Sequence, residues 1–212
     1  MARLTDPKCR QCRRVGEKLF LKGDRCFTPK CAMVKRAYTP GVHGRAGATR
    51  KRRFSEFGQQ LIKKQAIKKT YGILERQLRR YFREASLQKG DTRENLMRKL
   101  EMRLDNVVFR LGWAKSRAAA RQLVSHGHIL INNRRVTIPS YEVRVNDIIN
   151  LKERIRKSKL MENLTVVLKK YESPSWMVLD KEKIEGKILR QPGLNDLGDL
   201  TPIGLIVEFY SR

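Results

Sequence analysis

"SRAAARQLVSHGHILINNRRVTIP", residues 116–139, changes its periodicity part-way, and that change decides the architecture. Ser116 is placed to cap a short helix, "RAAARQLVSHG", and Gly127 to close it in the left-handed conformation. Ala120, Leu123 and Val124 can face inward from that helix. "HILINNRRVTIP" then alternates, with Ile129, Ile131, Val136 and Ile138 on either side of a polar turn, which predicts a hairpin. Asn132 and Asn133 suit the turn because asparagine accepts positive φ more readily than other non-glycine residues. "YEVRVNDIINL", residues 141–151, supplies further strand, completing a small α+β module.

Helical spacing dominates upstream. Phe57, Leu61 and Ile62 begin an apolar stripe that Gly72 can stop, and Leu74, Leu78, Tyr81, Phe82 and Ala85 mark a second buried face. In "TRENLMRKLEMRLDNVVFRLG", residues 92–112, Thr92 is the expected N-cap, with a break near Met102. Downstream, "KERIRKSKLMENLTVVLKKYE" reads as helix, "WMVLD" and "EGKILR" as strands around a turn at Lys181–Lys183, and "LIVEFYS" as a closing strand or extended tail. Read from the residues alone, the domains run consecutively along the chain.

Charge narrows the function. The 212 residues hold 48 Lys+Arg against 21 Asp+Glu, a net +27. Such an excess repels itself and is relieved by a polyanion, with nucleic acid the leading partner and an anionic membrane the second. No apolar run approaches the ~20 residues that span a bilayer, and "MARLTDPK" lacks an apolar signal core, so a reducing cytosol is expected.

All four cysteines lie in "CRQCRRVGEKLFLKGDRCFTPKC", residues 9–31. Cys9 and Cys12 form one close pair; thirteen residues later Cys26 and Cys31 form another, four residues apart. Two such pairs can bring four sulfurs onto tetrahedral corners, with zinc the first expectation and an iron–sulfur cluster the second. Disulfides or inert thiols are the bland alternatives. Lys8, Arg10, Arg13, Arg14, Arg25 and Lys30 would offset the charge of a thiolate cage.

Residues 1–54 carry sixteen basic and three acidic residues and few periodic apolar ones, so an irregular arm organised by the metal is expected. Phosphate contacts are expected there from Arg13, Arg14, Lys35, Arg36, Arg45 and the run Arg50, Lys51, Arg52 and Arg53. In the small module Lys115, Ser116, Arg117 and Arg121 gather at a helix N-terminus, itself a natural phosphate seat, and Arg134 and Arg135 add the hairpin turn. Replacing Arg117 and Arg121 is expected to cost affinity more than stability. His126 and His128 are expected to cap the helix end, and His43 to make a loop hydrogen bond.

"MARLTDPKCRQCRR", "PGVHGR", "RLDNVVFRLG", "SRAAARQLVSHGHILIN", "IPSYEVR" and "LIVEFYS" together resemble the ribosomal protein S4 family, over essentially the whole chain. The resemblance implies that Cys9, Cys12, Cys26 and Cys31 bind one zinc ion, as in the metal-containing bacterial members; other members lack these cysteines. It implies an α+β chain: a zinc-binding basic arm (1–45), a helical domain (46–98, with the tail 190–212 packing back) and an inserted sheet-containing domain (99–189) that carries the RNA-binding module at 101–152. Family members bind a multi-helix junction in the 5′ domain of small-subunit ribosomal RNA early in assembly. They also contact a neighbouring ribosomal protein at an interface affecting decoding accuracy, and line the channel by which mRNA enters. Some repress their own operon. The Asn132-Asn133 turn departs from the Asn-Gly common in the family, which puts its geometry in question.

Two other classes compete. An RNA-modifying enzyme can carry the same small module, but the chain has no P-loop, G-x-S-x-G or H-E-x-x-H motif, so no catalytic residue is expected. A zinc-dependent DNA-binding regulator would show two histidines after two cysteines, and that spacing is absent. The reading is therefore a cytoplasmic, non-catalytic constituent of the small ribosomal subunit.

Overall fold

A computed structural model describes residues 5–44, 54–156, 158, 164–197 and 201–212. The chain divides into two compact units, residues 1–96 with 199–212, and residues 97–198. No helix among the described residues is long and apolar enough to cross a membrane.

The first unit contains α1 (Lys8–Val15), a 3-10 turn (Gly23–Cys26), α2 (Ala32–Lys35), α3 (Glu56–Thr70), α4 (Glu75–Ser86), the first half of α5 (Thr92–Glu101) and α11 (Thr201–Ser211). Ser55 caps α3 by accepting from the Gly58 N–H. Leu78, Tyr81 and Ala85 line the buried side of α4, as their spacing predicts. At α5 the cap is displaced by one residue: Asp91, and not Thr92, accepts from the Arg93 N–H at 2.8 Å. The carboxylate outcompetes the hydroxyl because it accepts from a charged partner too, the Arg93 guanidinium at 3.0 Å.

The segment expected as a closing strand is helical. Ile203 and Ile206 are buried at helical spacing, and α11 packs on α3. Phe57 and Phe209 meet at 5.4 Å between centroids, and Phe82 and Tyr210 at 5.0 Å. The β-branched and aromatic composition favours a strand locally; packing against α3 and α4 overrides it.

The second unit holds α6 (Leu104–Arg110), α7 (Arg117–Ser125), β1 (Ile129–Ile131), β2 (Arg134–Arg135), β3 (Ile148–Leu151), α8 (Glu153–Arg156), α9 (Leu164–Lys169), β4 (Met177–Asp180), β5 (Glu185–Ile188) and α10 (Leu194–Leu197). The strands form one antiparallel sheet in the order β2-β1-β3-β5-β4. Ile129 pairs with Leu151 and Ile131 with Ile149, so four buried apolar side chains alternate on one face. That face packs with Leu104, Val107 and Val108 of α6, its C-cap Leu111, and Ala120 and Val124 of α7. Gly186 lets β5 approach this layer: a Cβ there would lie 2.6 Å from the Leu111 methyl carbons.

Ser116 caps α7 through the Ala119 N–H, and Gly127 closes it at φ +71. Asn132 and Asn133 both adopt positive φ, +47 and +63, so the mirror-image turn forms without glycine. Its geometry is held by the Asn132 side chain. Asn132 Nδ2 donates to Asp147 Oδ1 at 2.9 Å, and its Oδ1 accepts from the Ile148 N–H at 3.0 Å. A glycine at 132 would lack both ties.

Candidate nucleic-acid interface

The module's cations stand on a buried acidic base. Glu101 and Asp105, at the α5–α6 junction, are 2% and 4% exposed. Arg103, 1% exposed, grips Asp105 with Nε at 3.1 Å and Nη2 at 2.9 Å. Arg110 grips Glu101 in the same two-pronged manner at 2.9 and 3.0 Å. Arg121 reaches Asp105 at 3.5 Å, and Arg117 Nε donates to Asn106 Oδ1 at 2.8 Å. The Asn106 amide donates in turn to Glu101, and the Arg117 guanidinium lies over the Phe109 ring. Among the described residues four arginines thus surround two carboxylates.

This alters the expectation for α7. Arg117 and Arg121 share one face, but both are anchored to the buried base and mostly covered, so replacing them lowers stability as well as any affinity. Ser116 is occupied as the helix cap, while Lys115 is exposed beside it.

Arg134 and Arg135 project from β2 as exposed side chains. Arg135 lies across Gly127, where a Cβ would come within 2.1 Å of its Nε. The helix end, the hairpin and the start of α8 converge here. Burial lowers the pKa of His128, and repulsion from His126, Lys152, Arg135 and Arg154 lowers it further. The two histidine rings are 5.9 Å apart. Lys152 and Arg154 belong to this basic edge although they are some twenty residues from the hairpin turn; the β1–β3 ladder delivers them, through Lys152 N–H donating to the His128 carbonyl at 3.0 Å. Only knowledge of that pairing would have revealed them in the sequence.

In the arm, Arg13 is committed internally: its guanidinium donates to the Tyr38 carbonyl at 2.9 Å and sits 4.7 Å from the Tyr38 ring centroid. Arg14, Lys35 and Arg36 are exposed, as is His43. Arg45, Arg50, Lys51, Arg52 and Arg53 lie outside the described residues.

Cys9, Cys12, Cys26 and Cys31 are free thiols that line one small cavity of about 20 Å³, with Leu21 and Met33 among its walls. Among the described residues no three or more His, Cys, Asp or Glu side chains are grouped closely enough to hold a metal ion. The four sulfurs nonetheless line one cavity, and the Lys22 N–H donates to Cys26 Sγ at 3.4 Å. Burial pushes the Cys12 thiol's pKa up; the Leu19 N–H opposes this, and the other three thiols reinforce it.

Residues 3–101 match the family described as Ribosomal protein S4/S9 N-terminal domain, and residues 102–149 match the S4 domain. The whole chain aligns with the whole of "Small ribosomal subunit protein uS4" from Thermosipho africanus at 48% identity and from Natranaerobius thermophilus at 49%. The protein of the same name from Halothermothrix orenii is 50% identical, again over the full length of both chains.

Proposed function

The chain belongs to the family of small ribosomal subunit protein uS4, and from that premise we propose a reading of its surface. It is a structural constituent of the small ribosomal subunit in the bacterial cytoplasm, binding ribosomal RNA alongside other ribosomal proteins. The family is one of ribosomal structural proteins and not of enzymes.

Its grip on RNA is electrostatic and shape-based. Arg14, Lys35, Arg36, Arg134 and Arg135 contact phosphates, while the sheet and the α6–α7 pair hold their spacing. The observation that carries this reading is the absence of carboxylate partners for these five exposed cations among the described residues. Arg117 and Arg121 contribute from the anchored base, and Lys152 and Arg154 extend the edge beyond the hairpin. Arg45 and the run from Arg50 to Arg53 are proposed contacts by composition alone. The motif resemblance supports the finer roles: nucleating the 5′ domain by binding its multi-helix junction, contributing to decoding accuracy, and lining the channel where mRNA enters.

One zinc ion held by Cys9, Cys12, Cys26 and Cys31 belongs to the same proposal. When bound it supplies a structural staple for an arm whose apolar cluster is small, built on Cys12, Val15, Leu19 and Ala66. Purified protein is expected to carry one equivalent of zinc; an iron–sulfur cluster or four freely titrating thiols would reject that part.

The experiment that tests the whole is sedimentation of the native cellular chain with small ribosomal subunits, joined to a binding titration against 5′-domain RNA. Tight binding that weakens steeply with salt is expected. A chain that sediments apart from the subunit, or that binds random duplex DNA equally well, overturns the reading.

A further inference from the structure

One cavity of the first unit collects cations without enough carboxylate to match them. It measures about 290 Å³ and is walled by Asp6, Arg10, Gln11, Arg14 and Lys69, with two prolines. Arg10 and Arg14 stand one turn apart on α1, and Lys69 comes from the last turn of α3. None of the three makes an ion pair among the described residues, and Asp6 is the only acidic residue in the wall. Burial lowers the Lys69 pKa, and repulsion from Arg14 and Lys68 lowers it further, against smaller opposing effects of Cys12 and Asp6. The cavity also meets the start of α1, where Pro7 precedes the first turn and no side chain caps it. The helix dipole adds partial positive charge at that end.

Gln11 says more than "anion". It is 6% exposed, and its Nε2 donates to the Asp6 carbonyl at 3.3 Å. A carbonyl can only accept, so this bond fixes which amide atom is the oxygen. Gln11 Oε1 is buried and has no hydrogen-bond partner among the described residues. A buried acceptor left unpaired is destabilising, so the ligand that belongs here carries a donor as well as negative charge. A phosphodiester alone offers no donor. A ribose 2′-hydroxyl beside a phosphate offers one, and deoxyribose does not.

We infer that this cavity seats one ribonucleotide of the bound RNA, its phosphate among Arg10, Arg14 and Lys69, its 2′-hydroxyl donating to Gln11 Oε1. The inference rests on the RNA-binding reading above and deepens it: the arm recognises RNA as RNA, by sugar as well as by charge.

The test uses the full chain with 5′-domain RNA in which single 2′-deoxy substitutions are scattered at random, asking which of them are depleted from the bound fraction. Wild type is expected to reject deoxy substitution at one nucleotide that Gln11→Met tolerates, while its other sensitive positions persist. Gln11→Met should weaken binding roughly three- to tenfold, the span of one neutral hydrogen bond. Lys69→Met, outside the cysteine arm, should reduce the salt slope by about one contact. Both variants are checked for wild-type melting and metal content. Variants that are folded and bind like wild type, or that keep its full deoxy-sensitivity pattern, overturn the inference and leave the RNA-binding reading intact. Protection of wild type by inorganic phosphate, with no position sensitive to deoxy substitution, reduces the cavity to a plain anion site and also overturns it. Failure of wild type to bind the RNA removes the parent reading instead.

Discussion

The two units handle the same surplus of cations in opposite ways. In the second unit arginines at the α5–α6–α7 junction close onto two buried carboxylates, so much of their charge is spent on architecture. In the arm of the first unit Arg10, Arg14, Lys35 and Arg36 face solvent or a cavity with no such base beneath them among the described residues. An arginine count alone therefore does not measure RNA affinity. Where a carboxylate is buried under it, an arginine is half scaffold; where none is, it remains unneutralised until the polyanion arrives.

The largest effect expected from breaking this contrast is at Asp105. Asp105→Ala leaves Arg103 buried without its two-pronged partner and should destabilise the second unit by about 3–5 kcal/mol. Both tryptophans of the chain, Trp113 and Trp176, lie in that unit, so their fluorescence during urea unfolding reads it directly. Replacing the pair together by Arg103→Met and Asp105→Leu should recover most of the loss, because an apolar pair needs no desolvated charge. A loss below about 1 kcal/mol in the single variant would show that the base is not structural.

A smaller effect is expected from acid on the first unit. Burial would raise the pKa of Glu75, but hydrogen bonds from Lys64, Tyr210 and Lys68 hold it at about 2. A lowered carboxylate stabilises the fold above its unfolded pKa of about 4.3 and loses that contribution as pH falls through the folded value. Helical circular dichroism should therefore show wild type losing more melting temperature than Glu75→Gln between about pH 4.5 and pH 2. Parallel loss in both would detach Glu75 from acid stability. Solvent screening tempers the size, since the carboxylate is 41% exposed.

The smallest change in stability belongs to the hairpin. Arg134→Ala with Arg135→Ala should leave stability within about 0.5 kcal/mol, yet flatten the salt dependence of RNA binding by about one to two contacts. Arg117→Ala with Arg121→Ala should instead lower the urea midpoint as well. If the two double variants behave alike, the division between anchored and unneutralised arginines fails.

Features settled by neighbours a few residues away were legible from sequence. Ser116 and Gly127 frame α7 because caps are local chemistry, and Ile129 and Ile131 reveal β1 by simple alternation, whereas Val136 and Ile138, expected to continue it across the turn, lie beyond the two-residue β2, with Ile138 exposed. What escaped depends on distant partners. Glu101 and Asp105 carry no spacing signature, and their role appears only when the chain breaks at Met102 and folds α7 over them. "LIVEFYS" misleads for the same reason: its strand-like composition yields to the α3 surface that receives it. At Asn132 the local rule gave a correct turn, but the tie to Asp147 that makes asparagine the better choice there comes from the residue just before β3.

The return of α11 to α3 sets a schedule. More than a hundred residues separate Thr70 from Thr201, so at ordinary bacterial translation rates α3 waits on the order of ten seconds for its cover. The side chains it finally hides include Gln60 and Lys64 rather than a run of leucines, and they meet Glu208, Phe209 and Tyr210 when these emerge. A surface of that kind stays wettable while nascent, which lets the chain tolerate a delay that a greasier helix would spend sticking to its neighbours on the polysome.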